Sequence, residues 1–218
     1  MRRVLVLTLL AVALPIIARA DIIITNSAGS ILLSGMAGTK GLGTIGTTVL
    51  TSQQSQLKQW NGLTGNLGYV GYSTGVLLSG SVLGGGTFAG GGSFDIFGVG
   101  KWAKKLTGAK GCGTATSCPL FTGSFSGPVA WTLTSPPGQT ALTYALSGNL
   151  KGTMWTGRSV TGSTVQNINT YKSELVNGIG HITVSHGELN TPEPGTLGLL
   201  GTGLLAIAGI FRSKRMRS

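Results

Sequence analysis

Apolar and polar positions alternate along two neighbouring stretches of the chain. Phe121, Gly123, Phe125, Gly127, Val129, Trp131 and Leu133 occupy alternate positions, with Thr122, Ser124, Ser126 and Thr132 between them. After Ser135-Pro136-Pro137-Gly138 the alternation resumes at Leu142, Tyr144, Leu146, Gly148, Leu150, Gly152 and Met154. A period of two sends one set to one face of a strand, and a Ser-Pro-Pro-Gly run makes a turn. A long antiparallel hairpin is therefore predicted. With those four residues as the loop, Leu133 faces Thr140, Trp131 faces Leu142, Val129 faces Tyr144, Gly127 faces Leu146, Phe125 faces Gly148, Gly123 faces Leu150 and Phe121 faces Gly152. Almost every glycine then meets a bulky partner, and a one-residue slip would turn an apolar set to the wrong face. Pro128 cannot donate to a ladder and marks an edge or a bulge.

The rest of the chain reads as shorter strands. Asp21 to Thr25, Ser30 to Ser34 and Thr47 to Thr51 have strand character, as do Leu67 onward with Tyr69 and Tyr72, Val76 to Leu83, and Phe94 to Val99. Thr164 to Thr170 and Gly180 to Leu189 read as closing strands, separated by Tyr171 to Gly178. Gln53 to Trp60 is the one stretch that suggests a helical turn. Gly84 to Ala89 is repeated as Gly90 to Asp95; two copies are too few for a solenoid, so the pair reads as a bend between strands. The apolar face of the hairpin must be covered, and a second sheet is the economical cover. The expectation is an all-β, antiparallel, β-sandwich-like ectodomain over residues 21–191.

Composition sharpens this picture. Glycine accounts for 38 of 218 residues and charged residues for 10%. Abundant Gly, Ser and Thr between apolar positions disfavours helices and suits strands joined by tight turns.

The two ends have a different character. Arg2 and Arg3 precede an apolar run from Val4 to Ile17, broken by Pro15 and followed by Ala18-Arg19-Ala20. This is the pattern of a signal peptide over residues 1–20, with Ala18 and Ala20 forming the signal-peptidase site and cleavage after Ala20. At the other end Pro192-Glu193-Pro194 is followed by Gly195 to Phe211, which carries no charge, and then by a tail containing Arg212, Lys214, Arg215 and Arg217. As a helix the uncharged stretch reaches roughly 25 Å, enough for a single transmembrane span. The basic tail at 212–218 favours the cytoplasmic side and leaves the ectodomain outside. Pro-Glu-Pro, a Gly/Leu-rich span and an Arg/Lys terminus, in that order, resemble the PEP-CTERM sorting signal of exported bacterial proteins over about residues 191–218. The resemblance implies that Pro192, Glu193 and Pro194 are a substrate for exosortase, a membrane-embedded transpeptidase, and not a catalytic site. It also implies a place at the inner membrane and then at the cell envelope, surface or matrix, linked to extracellular polysaccharide.

Charge and candidate chemistry add little that is catalytic. The formal net charge is +11; without the targeting segments, nine basic residues face Asp21, Asp95, Glu174 and Glu188, a net of +5. Lys101, Lys104, Lys105 and Lys110 cluster around Trp102 and read as a solvated loop able to attract acidic polysaccharide or a lipid headgroup. No nucleic-acid partner is expected, because no binding motif accompanies the cluster and the compartment is wrong. Cys112 and Cys118 enclose a short loop in an exported chain and read as a disulfide. A metal site is not expected: two thiols lack further ligands nearby, and His181 and His186, five apart, point to opposite faces of a regular strand. His186 and Glu188 share a face as a surface pair. Asp95, Glu174 and Glu188 sit in separate segments, and no nucleophile motif or phosphate loop is present. No catalytic, cofactor-binding or metal-binding residue is assigned, and the domain reads as a non-enzymatic structural or adhesive surface module. A carbohydrate-binding module using Trp102 or Trp155 is the competitor, with a polysaccharide hydrolase behind both.

Overall fold

The computed structural model of the protein describes residues 21–35, 43–107, 116–136 and 138–190. Thirteen strands join in one antiparallel sheet. Five consecutive pairs of them are the two halves of one interrupted stave: β1 (Asp21–Ser27) with β2 (Ser30–Ser34), β3 (Val49–Gln53) with β4 (Ser55–Trp60), β6 (Gly85–Phe88) with β7 (Gly91–Val99), β8 (Ser117–Phe125) with β9 (Val129–Leu133), and β12 (Ile179–Ile182) with β13 (Ser185–Asn190). With β5 (Leu63–Ser81), β10 (Ala141–Met154) and β11 (Ser159–Tyr171), they make eight staves. Each stave pairs with the next along the chain, and the last returns to the first through Asp21↔Asn190 and Leu32↔Ile179. The result is a closed up-and-down barrel.

Residues 21–190 are thus all-β and antiparallel, as expected, but the cover for the apolar face differs from a second sheet. It is the far wall of the same sheet. Closure gives every stave a partner on both sides and removes the exposed ladder edges that a sandwich must protect. Eight strands enclose a space that side chains can fill, and one core cluster with contributions from every stave fills it. The outward rows are mostly polar along β10 (Thr143, Ser147, Asn149, Lys151, Thr153) and along β11 (Thr161, Ser163, Asn167, Asn169, beside the exposed Val165), while the inner row is aromatic and aliphatic on β10 and mixes Val160 and Ile168 with Thr164, Gln166 and Thr170 on β11. A membrane-spanning barrel has the opposite arrangement.

The predicted hairpin forms between β8–β9 and β10, in a different register. Leu133 faces Tyr144 and Trp131 faces Leu146, whereas Phe125 faces Leu150, Gly123 faces Gly152 and Phe121 faces Met154. Relative to the expected pairing the shift is four residues at β9 and two at β8, and the difference is taken up at Ser126-Gly127-Pro128, where the stave is interrupted. Both shifts are even, so the apolar set keeps its face. Bulk covers glycine from a diagonal position or from two residues away on the same strand, and not from directly opposite: a β-carbon at Gly152, diagonal to Phe121, or at Gly123, on its own strand, would lie 2.6 Å from the Phe121 ring, and one at Gly148, diagonal to Phe125, would lie 2.8 Å from that ring. Aromatic rings reach diagonal neighbours across a ladder, so direct opposition is unnecessary.

Two local expectations are corrected. Ser55 to Trp60 is a strand and not a helical turn. A bulge between Leu57 and Gln59 places both Leu57 and Trp60 inside, and that i, i+3 spacing imitates a helix. The lysine-rich stretch after β7 is not a loop at its start but a helix, α1 (Gly100–Thr107). The bend expected near residues 84–95 lies at Ala89-Gly90, and it delivers Phe88 and Phe94 to the core. A short helix, α2 (Lys172–Val176), joins β11 to β12, with the Glu174 carboxylate accepting from the Tyr171 amide.

Candidate functional site

α1 is amphipathic over two turns. Ala103 and Thr107, four apart, are buried, and Trp102 and Leu106 pack partly buried against the barrel core. The Thr107 hydroxyl donates to the Ala103 carbonyl at 2.8 Å. Close approach of the helix to β7 depends on Gly98, where a β-carbon would come within 3.2 Å of the Ala103 backbone. Lys101, Lys104 and Lys105 are left exposed. The Lys101 and Lys105 ammonium groups stand 5.4 and 5.0 Å from the centre of the Trp102 ring, within the range of cation–π attraction. The ammonium groups thus meet the indole face while both lysines remain exposed to solvent.

The register shows what surrounds this helix. Asn190 pairs with Asp21, Ile24 with Trp60, Gly68 with Gly98, Val99 with Ser117, Phe121 with Met154, and Thr153 with Ser159. One end of the barrel therefore carries α1, the Asn61-Gly62 turn, the Trp155–Arg158 turn, and both Asp21 and Asn190. Lys58 near the first turn and Arg158 in the second add to the lysines of α1. The Lys58 ammonium donates to the Asn66 side-chain oxygen at 2.7 Å. Trp102 and Trp155, far apart in sequence, reach the same end, and the Trp155 amide is fixed by the Leu120 carbonyl at 3.0 Å. Nothing in the local sequence marks Lys58 or Arg158 as members of the patch. Only the barrel register assembles it.

The other candidate residues remain dispersed. Asp95 is half-buried in the wall beside Gly71 and Thr122, and burial holds its carboxyl above the usual carboxylate range. Glu174 lies at the opposite end and faces His181 at 3.8 Å. Glu188 shares a shallow outer groove with His186, Ile23 and Val165. The three acids are not brought together. His181 and His186 are both exposed, contrary to the expected opposition, because the interruption at Thr183-Val184 resets the alternation between β12 and β13. Cys118 is buried at the start of β8 and no described cysteine is free. Its expected partner Cys112 lies outside the described residues, as do Lys110, Ala18, Ala20, Pro192, Glu193, Pro194 and the span 195–211. Among the described residues no helix is long and apolar enough to cross a membrane.

Comparison with curated proteins and with solved structures returns no match. The family comparison does return one, and it falls where the barrel ends. Residues 190–215 match the PEP-CTERM protein-sorting motif, from the last residue of β13 onward, so the chain carries the signal for exosortase processing and membrane-associated sorting to the cell envelope.

Proposed function

We propose that the barrel is a structural or adhesive module of the cell surface or its matrix, non-enzymatic, and delivered there by exosortase. The observation that carries this reading is the junction itself: the sorting motif begins at Asn190, the residue that closes the barrel. A closed sheet with a filled interior and a Ser/Thr-rich outer wall suits a durable surface unit. In the same reading residues 1–20 are removed after Ala20, Cys112 pairs with Cys118, and 195–211 is a temporary transmembrane hold. Replacing Pro192-Glu193-Pro194 with three alanines, in a strain that contains exosortase, should leave the carboxyl-terminal tail uncut and reduce surface delivery. Mass spectrometry of the mature ends reads both this and a new amino terminus at Asp21. Unchanged processing of the alanine variant would refute the sorting part of the proposal.

A second reading, binding of extracellular polysaccharide through Trp102 or Trp155, is favoured by their arrival at one basic end of the barrel. Retention on a glycan array that disappears in Trp102→Ala or Trp155→Ala would support it over a purely structural role.

A further inference from the structure

We infer that the α1 end of the barrel is a docking surface for an anionic phospholipid bilayer, engaged while the chain is still held by its tail. The inference rests on the sorting reading, since it takes residues 195–211 as membrane-inserted. The first argument is connectivity. From Asn190 to Gly195 the chain can extend at most roughly 17 Å, so the end of the barrel that carries Asn190 is confined near the surface that the tail enters. The second is charge. Of the seven described basic residues of the barrel, Lys58, Lys101, Lys104, Lys105 and Arg158 lie at or beside that end, Lys151 lies on the wall close to it, and Lys172 alone is at the far end. Asp21, Glu188 and, on the wall level with Thr153, Asp95 are the described acids on the same side, and no described carboxylate comes within 4.0 Å of any of these cations. The third is the character of α1. A half-buried tryptophan flanked by lysines on the exposed side of a short amphipathic helix is suited to the headgroup layer, where indole and ammonium are both solvated and phosphate is the counter-charge.

An acidic polysaccharide would meet the same cations, but it does not account for their gathering at the exit of the tail. Lys101 and Lys105 already stand over the Trp102 ring, which disfavours stacking of a sugar on the face they cover and leaves their charge for phosphate.

The test uses the full chain reconstituted through its own tail into vesicles of phosphatidylcholine, with or without phosphatidylglycerol, containing lipids brominated near the headgroup. Trp102 emission is taken as the difference between the chain and its Trp102→Phe variant. Quenching is expected in the phosphatidylglycerol vesicles, with loss in phosphatidylcholine alone, in high salt, and in the triple variant Lys101→Gln, Lys104→Gln, Lys105→Gln. The three lysines are exposed, and an unchanged circular dichroism spectrum checks that the triple variant is folded. Equal quenching in both vesicle types, or quenching indifferent to the three substitutions, overturns the inference, because tethering alone would then explain it. No quenching in either vesicle, or Trp102 emission that responds to added polygalacturonate instead, also overturns it and in the latter case favours the polysaccharide. A chain that does not float with vesicles of either kind removes the membrane-held tail and this inference together; a chain that floats without Trp102 quenching removes this inference alone.

Discussion

The barrel interior has two unlike halves. On the side formed by β5 to β10, the core is aromatic: Tyr72, Phe88, Phe94, Phe121, Phe125, Trp131 and Tyr144 are all buried. Phe94 meets Phe121 and Phe125 edge-on at 6.4 and 5.9 Å, and Trp131 stacks on Tyr144 at 4.3 Å. The polar tips of the stacked pair point the same way. Trp131 Nε1 donates to the Val82 carbonyl and Tyr144 Oη to the Leu83 carbonyl, each at 2.8 Å, which holds the β5–β6 turn over the end of the barrel away from α1. On the side formed by β1 to β4 and β11 to β13, the middle of the core is a polar network. Asn26 Nδ2 donates to Ser55 Oγ at 2.6 Å and to Gln166 Oε1 at 2.8 Å, and Gln166 Nε2 donates back to Asn26 Oδ1 at 3.2 Å and to Thr164 Oγ1 at 2.7 Å. The Ser55 and Thr164 hydroxyls in turn donate hydrogen bonds to the carbonyls of Val70 and His186. Large rings fill one half by shape and dispersion; the other half is specified by partners that must all be present. The difference teaches that the first is sensitive to lost volume and the second to lost pairing.

Denaturant titrations can break or sharpen that contrast. The largest effect is expected for Trp131→Ala, about 3–5 kcal/mol, from a cavity together with the loss of the turn clamp. Gln166→Ala should cost roughly 1–3 kcal/mol by removing the donor to Asn26 Oδ1 and to Thr164 Oγ1 and one acceptor of Asn26 Nδ2, although Asn26 keeps Ser55 and Thr164 keeps the His186 carbonyl. The double change Asn26→Leu with Gln166→Leu should recover most of the loss seen for Gln166→Leu alone, because no half-satisfied amide remains. If the double variant is as unstable as the sum of its parts, the network is not acting through its pairing. A smaller effect separates the two buried tyrosines. Tyr144→Phe should cost about 1 kcal/mol through the bond to Leu83. Tyr72→Phe should cost nothing or stabilise, because the buried Tyr72 hydroxyl has no hydrogen-bond partner among the described residues.

The same pair predicts an alkaline limit. Burial pushes the Tyr144 hydroxyl up to about 12 from an ordinary 10.0, and raises Tyr72 further still. Above pH 10 the unfolded chain gives up phenolic protons that the native barrel keeps, so stability is full below that point and falls as pH rises toward 12. Both Tyr→Phe variants should flatten this slope, and a slope unchanged in both would show that other groups set it.

The aromatic half was far more legible in the sequence than the polar half. Alternation of Phe, Trp, Tyr and Leu with Ser and Thr marks the inner face of β8 to β10 unambiguously. Along β11 the same rule misleads: Val165 is 42% exposed while its neighbour Gln166 is fully buried. A glutamine is placed inside only when a partner from a distant segment accepts it, here Asn26, and no local pattern reports that partner. The helical spacing at Leu57 and Trp60 and the opposed histidines failed for a related reason, since a bulge or interruption changes the parity of a strand without a reliable signature. The α1 patch was half legible, its lysines being adjacent in sequence and its other cations not.

By itself the sequence determined an all-antiparallel β domain, the inner face of the hairpin formed by β8–β9 and β10, and the Pro192-Glu193-Pro194 signal at the end of that domain. These rest on short-range periodicity, turn chemistry and linear motifs, which the chain carries wherever it folds. Tertiary structure alone decided that the sheet closes on itself, that the hairpin register moves by even steps so that Phe121 covers two glycines, and that one barrel end gathers the cations beside the exit to the sorting motif. Each of those depends on which distant residues meet, and long-range pairing energies choose among registers that local sequence leaves equivalent.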